Sequence, residues 1–294
     1  MSAAVHRAGA AVDDPRAWVG RSETAKGALS PDMAAMLAGA LAHPAAPEPA
    51  IHTGAPLPWL WHWAAFPDRV ALSGLGEDGH PRRGGFLPPL TGLRRMWAGG
   101  RLRFNGRFAV GERLRRDSTI LSIDVKEGGR VPLIFVRIGH EITGEGTAAI
   151  HEEQDLVYLP VPDAFHPPRP IPAPEAPVCA EPVEMSEIRL FRYSAATWNA
   201  HRIHYDLAYT TEVEHYPGLV VHGPMQATLL IEAGARHAGR APARFRYRAV
   251  HPLFAGAPMH LMAVPDGDRA FDLCTAAEAG HQGMQARLEW EETT

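Results

Sequence analysis

Between residues 166 and 184 the chain reads HPPRPIPAPEAPVCAEPVE, and proline at that density excludes both a helix and an interior strand. Each proline fixes φ and removes a backbone donor. The segment is therefore expected to run extended, as a semi-rigid strap across the outside of packed units. It divides the 294 residues into a longer first part and a shorter second part. Single cores stop growing near about 250–300 residues, so two units are expected. The expected units are a first domain over 16–165 and a second over 185–294, with a tail over 1–15 before them and the linker 166–184 between.

Both parts follow one plan. In the first, SPDMAAMLAGALA begins with a serine cap and a proline at the first helical position, and places Met33, Met36, Leu37 and Leu41 on one face. After LPWLWHWAAFPD come alternating runs broken at NG, GE, EGGR and GEG, the pattern of a meandering antiparallel sheet. Asn105–Gly106 reads only as a turn. In the second part, EIRLFRYSAAT is expected as a lead-in strand and GLVVHGPMQATLLIEAGARHAG as a long apolar helix. The segments RFRYRAVHPLF, PMHLMAVPD, RAFDLCTAAEA and GMQARLEWEE then alternate as strands. An apolar helix followed by strands able to wrap it is the plan of a hot-dog unit, and two in tandem make a double hot-dog of the α+β class.

A composition of 46% hydrophobic and 21% charged residues belongs to a globular chain with a substantial core. The formal net charge of -4 provides no basic field, so nucleic acid is not expected as a partner, and no apolar window reaches the length of a membrane span. Cys179 and Cys274 stand far apart with no CxxC pattern, which indicates neither a disulfide framework nor a thiolate metal site. With no apolar leader in the first residues, a cytoplasmic location is expected.

Chemistry concentrates in TWNAHRIHYD, residues 197–206, and in PGLVVHGPMQA beyond it. Asn199 and His204 lie five residues apart on a turn segment, and Gly223 and Pro224 open the apolar helix. A helix N-terminus offers free N–H groups and the positive end of a dipole, which can hold a developing oxyanion. An imidazole, an amide and such a terminus in one pocket suit proton transfer beside a thioester carbonyl. His201 and His204 could also be read as zinc ligands, but no HExxH or cysteine partner accompanies them, so no metal is expected.

The order Asn199-Ala-His-Arg-Ile-His204, then Tyr205-Asp206 and YPGLVVHGPMQA, resembles the hydration motif of the MaoC-like, R-specific enoyl-CoA hydratases. RRMWAGGRLRF and FRYSAATWNAHRIHYD together resemble the tandem hot-dog branch acting on itaconyl-CoA or mesaconyl-C4-CoA, with its 3-hydroxyacyl-thioester dehydratase relatives. The resemblance implies a double hot-dog hydro-lyase, working as a homodimer or a monomer. It implies a CoA thioester as substrate, no cofactor, catalysis in the second half, and a non-catalytic first half that widens the acyl pocket. Asn199 falls on the family's aspartate, His201 on its asparagine, Arg202 on its proline, His204 on its histidine and Gly223 on its oxyanion glycine. Since an amide cannot accept a proton as a carboxylate does, His204 becomes the principal base and acid, and Asn199 aims the water.

Around this core stand candidates for substrate binding. Arg202 could clamp a free acyl carboxylate or simply support the turn, and His201 is an alternative contact. Tyr205 and His222 flank the motif, while Asp206 suits a helix cap or an ion pair better than a second acid. Trp59, Trp61 and Trp63 either line an acyl tunnel or pack the core; Arg248, alternating with Arg246 and Arg244, either meets CoA phosphates or is a solvated face. Three other functions fit the same fold: a fatty-acid-type 3-hydroxyacyl-thioester dehydratase, a hot-dog thioesterase and a non-catalytic acyl-binding protein.

Overall fold

The computed structural model describes residues 14–126 and 133–291; the tail through residue 13 and the expected EGGR turn lie outside them. The elements in chain order are β1 (Ser22–Gly27), α1 (Pro31–Leu41), β2 (Leu93–Asn105), β3 (Leu114–Lys126), β4 (Leu133–Thr143) and β5 (Ala149–Pro160). They continue with β6 (Cys179–Glu184), α2 (Glu187–Ala196), α3 (Leu207–Glu212), α4 (Gly223–Ala238), β7 (Arg244–Ala249), β8 (Pro258–Pro265), β9 (Ala270–Ala277) and β10 (Gln282–Glu289).

Among the described residues the strands form one 10-stranded sheet in the order β1-β3-β4-β5-β2-β7-β10-β9-β8-β6. The two halves of the chain meet where β2 pairs antiparallel with β7, from Gly99 opposite Arg248 to Arg103 opposite Arg244. Alternation along β7 buries Phe245 and Tyr247 and exposes Arg244, Arg246 and Arg248, so one face of the sheet is dry and the other wet. Helix α4 lies against the dry face of the second half: Met225, Leu229, Leu230 and Ile231 share a core with Leu273, Met284 and Leu288. In the first half, Ile142 and Ile150 join that core, whereas Ile120, Val136, Ile138, Leu156 and Tyr158 form a second cluster with Leu90. Phe86 and Leu87 pack against that second cluster.

Four local expectations change. The stretch EIRLFRYSAAT is a helix, α2, because Ser186 caps it by accepting from the Arg189 N–H (3.3 Å) and its buried residues Leu190, Tyr193, Ser194 and Ala196 follow helical spacing. The alternation of Ile188 with Leu190 imitates a strand, but Ile188 and Phe191 point to solvent. In α1 the inward face is Ala34, Leu37, Ala40 and Leu41; Met36 is exposed. The proline-rich strap contains an edge strand, β6, paired only with β8, a position where Pro182 is tolerated. Finally, the first half is not a simple meander: β2 pairs with β5 and β7, so the Asn105–Gly106 turn does not close a β2–β3 hairpin.

Candidate functional site

The segment TWNAHRIHYD is held rigid by its own side chains. Thr197 Oγ1 donates to the Tyr193 carbonyl at the end of α2 (2.7 Å), and Trp198 adopts φ 54°, turning the chain out of the helix. Asn199 Oδ1 accepts the His201 N–H (3.0 Å), an Asx-type turn. A short 3₁₀ turn over Arg202–His204 follows, and Asp206 caps α3 by accepting the Tyr209 N–H (3.0 Å). Asp206 is thus at once a helix cap and an ion-pair partner, since Arg202 also donates to its other oxygen through Nε (3.0 Å) and Nη2 (2.7 Å).

This loop delivers His204 into the interior, where only 7% of it is exposed. Its Nδ1 lies 2.7 Å from the Val220 carbonyl. A carbonyl can only accept, so Nδ1 carries the hydrogen and Nε2 retains a lone pair. Burial pushes the His204 imidazole down to about 4; the bond to Val220 opposes this, and His80 adds a smaller depression. At neutral pH it is an uncharged base of fixed tautomer. The ring of His222 stacks on it at 3.7 Å, and His222 Nε2 is tied to Ser194 Oγ (2.8 Å). His222 Nδ1 has no hydrogen-bond partner among the described residues, and burial drives this imidazole well below its ordinary range as well.

Gly223 follows directly and begins α4, so its end of the helix presents unpaired N–H groups. The glycine is required by packing. A Cβ there would stand 2.5 Å from the indole of Trp97 on β2, which in turn stacks on Tyr247 (4.4 Å) and meets Trp63 edge-on (5.6 Å).

The first half contributes a part that sequence reasoning missed. The turn at residues 76–80 docks on the histidine loop: Arg202 N–H donates to the Asp78 carbonyl (3.0 Å) and Arg202 Nη1 to the Glu77 carbonyl (3.1 Å). Gly79 has φ +87°, and a Cβ on it would fall 1.8 Å from the Ala200 carbonyl oxygen. Asp78 accepts from the His80 N–H (3.0 Å) and bonds His80 Nδ1 (3.1 Å), and the His80 ring lies 4.1 Å from that of His201. Burial and then Arg95 hold His80 down to about 4, against the pull of Asp78. Burial and then His80 hold His201 well below the ordinary range. Burial alone would raise Asp78, but its bonds to His80 prevail and set it at about 2. The stretch GEDGHPRRGG, a polar run between glycines, was the available signal.

The structure thus brings His201, His204, His222 and Gly223 together, and Asn199 adjoins them through the turn that ties its Oδ1 to the His201 N–H. Arg202 faces the other way, into Asp206, the Glu77 carbonyl and the Tyr209 ring (4.1 Å). Tyr205 is exposed, its hydroxyl donating to the Ala200 carbonyl (2.9 Å). Trp59 and Trp61 are buried in the main core, Trp59 against Phe104 (5.0 Å); Trp63 donates to the buried Glu152 (3.0 Å) and reaches Gly223 only through Trp97. Arg248 lies on the wet face, donating to Gln285 (3.0 Å).

Asp78, His80 and His201 also place ligand-type atoms within 4.8 Å of one another, as do Cys179, Glu181 and His237. Neither set suits a cation. Arg83 lies 3.9 Å from Asp78 and Arg95 bears on all three residues of the first set; Arg236 occupies Glu181 in the second (2.5 Å). Among the described residues no helix is long and apolar enough to cross a membrane.

Comparison with known proteins places this geometry. Residues 60–255 match the family model of hydroxyacyl-thioester dehydratase type 2. The chain is 42% identical over 287 residues to mesaconyl-C(4)-CoA hydratase of Chloroflexus aurantiacus, covering 94% of this chain and 98% of that one. It is 34% identical over 91 residues, 30% of each chain, to a mitochondrial hydroxyacyl-thioester dehydratase type 2 of Schizosaccharomyces pombe. In fold it resembles a MaoC-like dehydratase from Phytophthora capsici (TM-score 0.70, 10% identity, 96% and 98% of the two chains). It also resembles a Mycobacterium tuberculosis protein described as a double hotdog (TM-score 0.58, 13% identity, 92% and 95%). The fold is therefore a double hot-dog, and the chain belongs to the hydroxyacyl-thioester dehydratase type 2 family of MaoC-like hydro-lyases.

Proposed function

We propose that the protein reversibly hydrates a 2-enoyl-CoA whose acyl group is a short branched dicarboxylic acid, of the mesaconyl-C4 or itaconyl kind. The observation that carries the chemistry is the buried, neutral His204, whose tautomer is set by Val220 so that Nε2 accepts a proton. Its neighbour along the loop, Asn199, uses Oδ1 on His201 N–H and keeps its amide N–H groups to orient water. In hydration, His204 Nε2 takes one proton from that water as the oxygen bonds the β-carbon. The π electrons move to the thioester oxygen, held at Gly223 by the free N–H groups and dipole of α4. The α-carbon then takes a proton from the imidazolium, which returns His204 to its resting form. Near-full-length similarity to a mesaconyl-C(4)-CoA hydratase supports the dicarboxylic substrate.

The β2–β7 junction already pairs two hot-dog halves within one chain, which supports a monomer as the working unit. Two buried free cysteines support a reducing, cytoplasmic setting. A panel of enoyl-CoAs followed by loss of the conjugated enoyl thioester absorbance tests the assignment. Turnover only of long monocarboxylic chains would favour the fatty-acid-type dehydratase. Release of free CoA thiol would mark a thioesterase.

A further inference from the structure

We propose that Arg95, bordered by the His80–His201 pair, is the subsite that receives the free carboxylate of the acyl group, a proposal that rests on the dicarboxylic reading above. Arg95 sits on β2 opposite Tyr158, which is fully buried, and its neighbours two residues away, Leu93 and Trp97, pack on the same cluster as Tyr158. Its side chain therefore belongs to the dry face of the sheet. There its charge bears on the Tyr158 hydroxyl and on Asp78, and among the described residues no carboxylate stands within ion-pair distance of it.

The surrounding carboxylates are already engaged. Asp78 is bonded to His80 and lies 3.9 Å from Arg83; Glu214 lies 3.7 Å from Arg94 and accepts from Tyr209 (3.4 Å). Arg83, Arg94 and Arg95 thus share two carboxylates, Asp78 being held down by Arg95 as well as by His80, so the cluster keeps one net positive charge in a partly desolvated setting. Its field is felt locally: Arg95 is among the causes that lower both His80 and His201. An anion entering there gains a charge-assisted, forked contact and relieves the isolation of the guanidinium. Arg202, the other candidate, has its Nε and Nη2 on Asp206 and its Nη1 on the Glu77 carbonyl, so no edge of its fork is open. The rings lead from the subsite to the base in short steps, His80 to His201 at 4.1 Å and His201 to His204 at 5.4 Å.

The test compares two saturated thioesters of equal chain length, succinyl-CoA and butyryl-CoA, as ligands of the wild type, Arg95→Gln and Arg95→Lys. The wild type should bind succinyl-CoA more tightly. Arg95→Gln should lose about 30-fold or more of that affinity, with butyryl-CoA binding unchanged, and Arg95→Lys should fall between, because an ammonium keeps the charge but not the fork. Butyryl-CoA binding serves as the control for folding, and if the Gln variant fails it, the Lys variant decides. Retained succinyl-CoA preference in the Arg95 variants, or its loss in Arg202→Gln instead, overturns the subsite while the dicarboxylic reading stands. A wild type that hydrates enoyl-CoAs without preferring the carboxylate overturns both.

Discussion

Burial sets the protonation of the four central imidazoles. His204 and His80 are each held down to about 4, and His201 and His222 well below the ordinary value near 6.5. The unfolded chain therefore binds more protons than the folded one between about 6.5 and 4, and in that window these groups make stability rise with pH. Their contribution is complete above the unfolded value and is lost as pH falls toward 4, so thermal unfolding should shift downward from pH 7 to pH 5. The same depression places the acid limb of kcat/KM well below pH 6, since the base is neutral until its own pKa is reached; a limb centred at 6.5 would contradict a buried His204. Replacing His204 by Ala should reduce turnover by about 10²–10⁴-fold, with circular dichroism showing the fold retained.

Two glycines join elements that must touch. Gly223 lets the Trp97 indole lie against the N-terminus of α4, and Gly79 lets the first-half turn sit on the Ala200 carbonyl in a left-handed conformation. Gly223→Ala forces a Cβ into the indole, an overpacking cost of roughly 1–3 kcal/mol, and should lower kcat more than it raises KM if the N–H groups there hold the oxyanion. Gly79→Ala meets backbone rather than a yielding side chain and should unseat the turn, detected as increased hydrogen exchange at Arg202, whose N–H is bonded to Asp78. At this scale the sequence was unevenly legible. Asn199, His204 and Gly223 stand out in the sequence as candidates because a loop and the following helix N-terminus lie close in the chain. The turn that carries His80 does not, because it reaches the loop across more than a hundred residues, through a contact such as Arg202 to Glu77. Helix α2 reads as a strand in the sequence because the exposed Ile188 alternates with the buried Leu190, and the exposed Phe191 with the buried Tyr193, which masks the helical stripe.

The continuity of the sheet makes the second half dependent on the first. The hydration-motif residues all fall after the proline-rich strap, which from sequence gives catalysis to the second half and the acyl pocket to the first. The structure ties the two more closely on two counts. Strand β7 fills one side with β10 and the other with β2, so removing the first half bares a row of backbone donors and acceptors from Arg244 to Arg248, flanked by the buried Phe245 and Tyr247. An unprotected edge of that kind recruits other chains. The histidine loop would also lose the Asp78 and Glu77 carbonyls that hold Arg202, and α4 would lose Trp97 from Gly223. A fragment covering residues 167–291 is therefore expected to self-associate in size-exclusion chromatography and to show no hydratase turnover. Co-expression with residues 14–166 should restore a one-to-one complex with activity, because the β2–β7 ladder and the docked turn need proximity, not a covalent strap. A monomeric, active second-half fragment would show that the first half serves only the acyl pocket and not the integrity of the site.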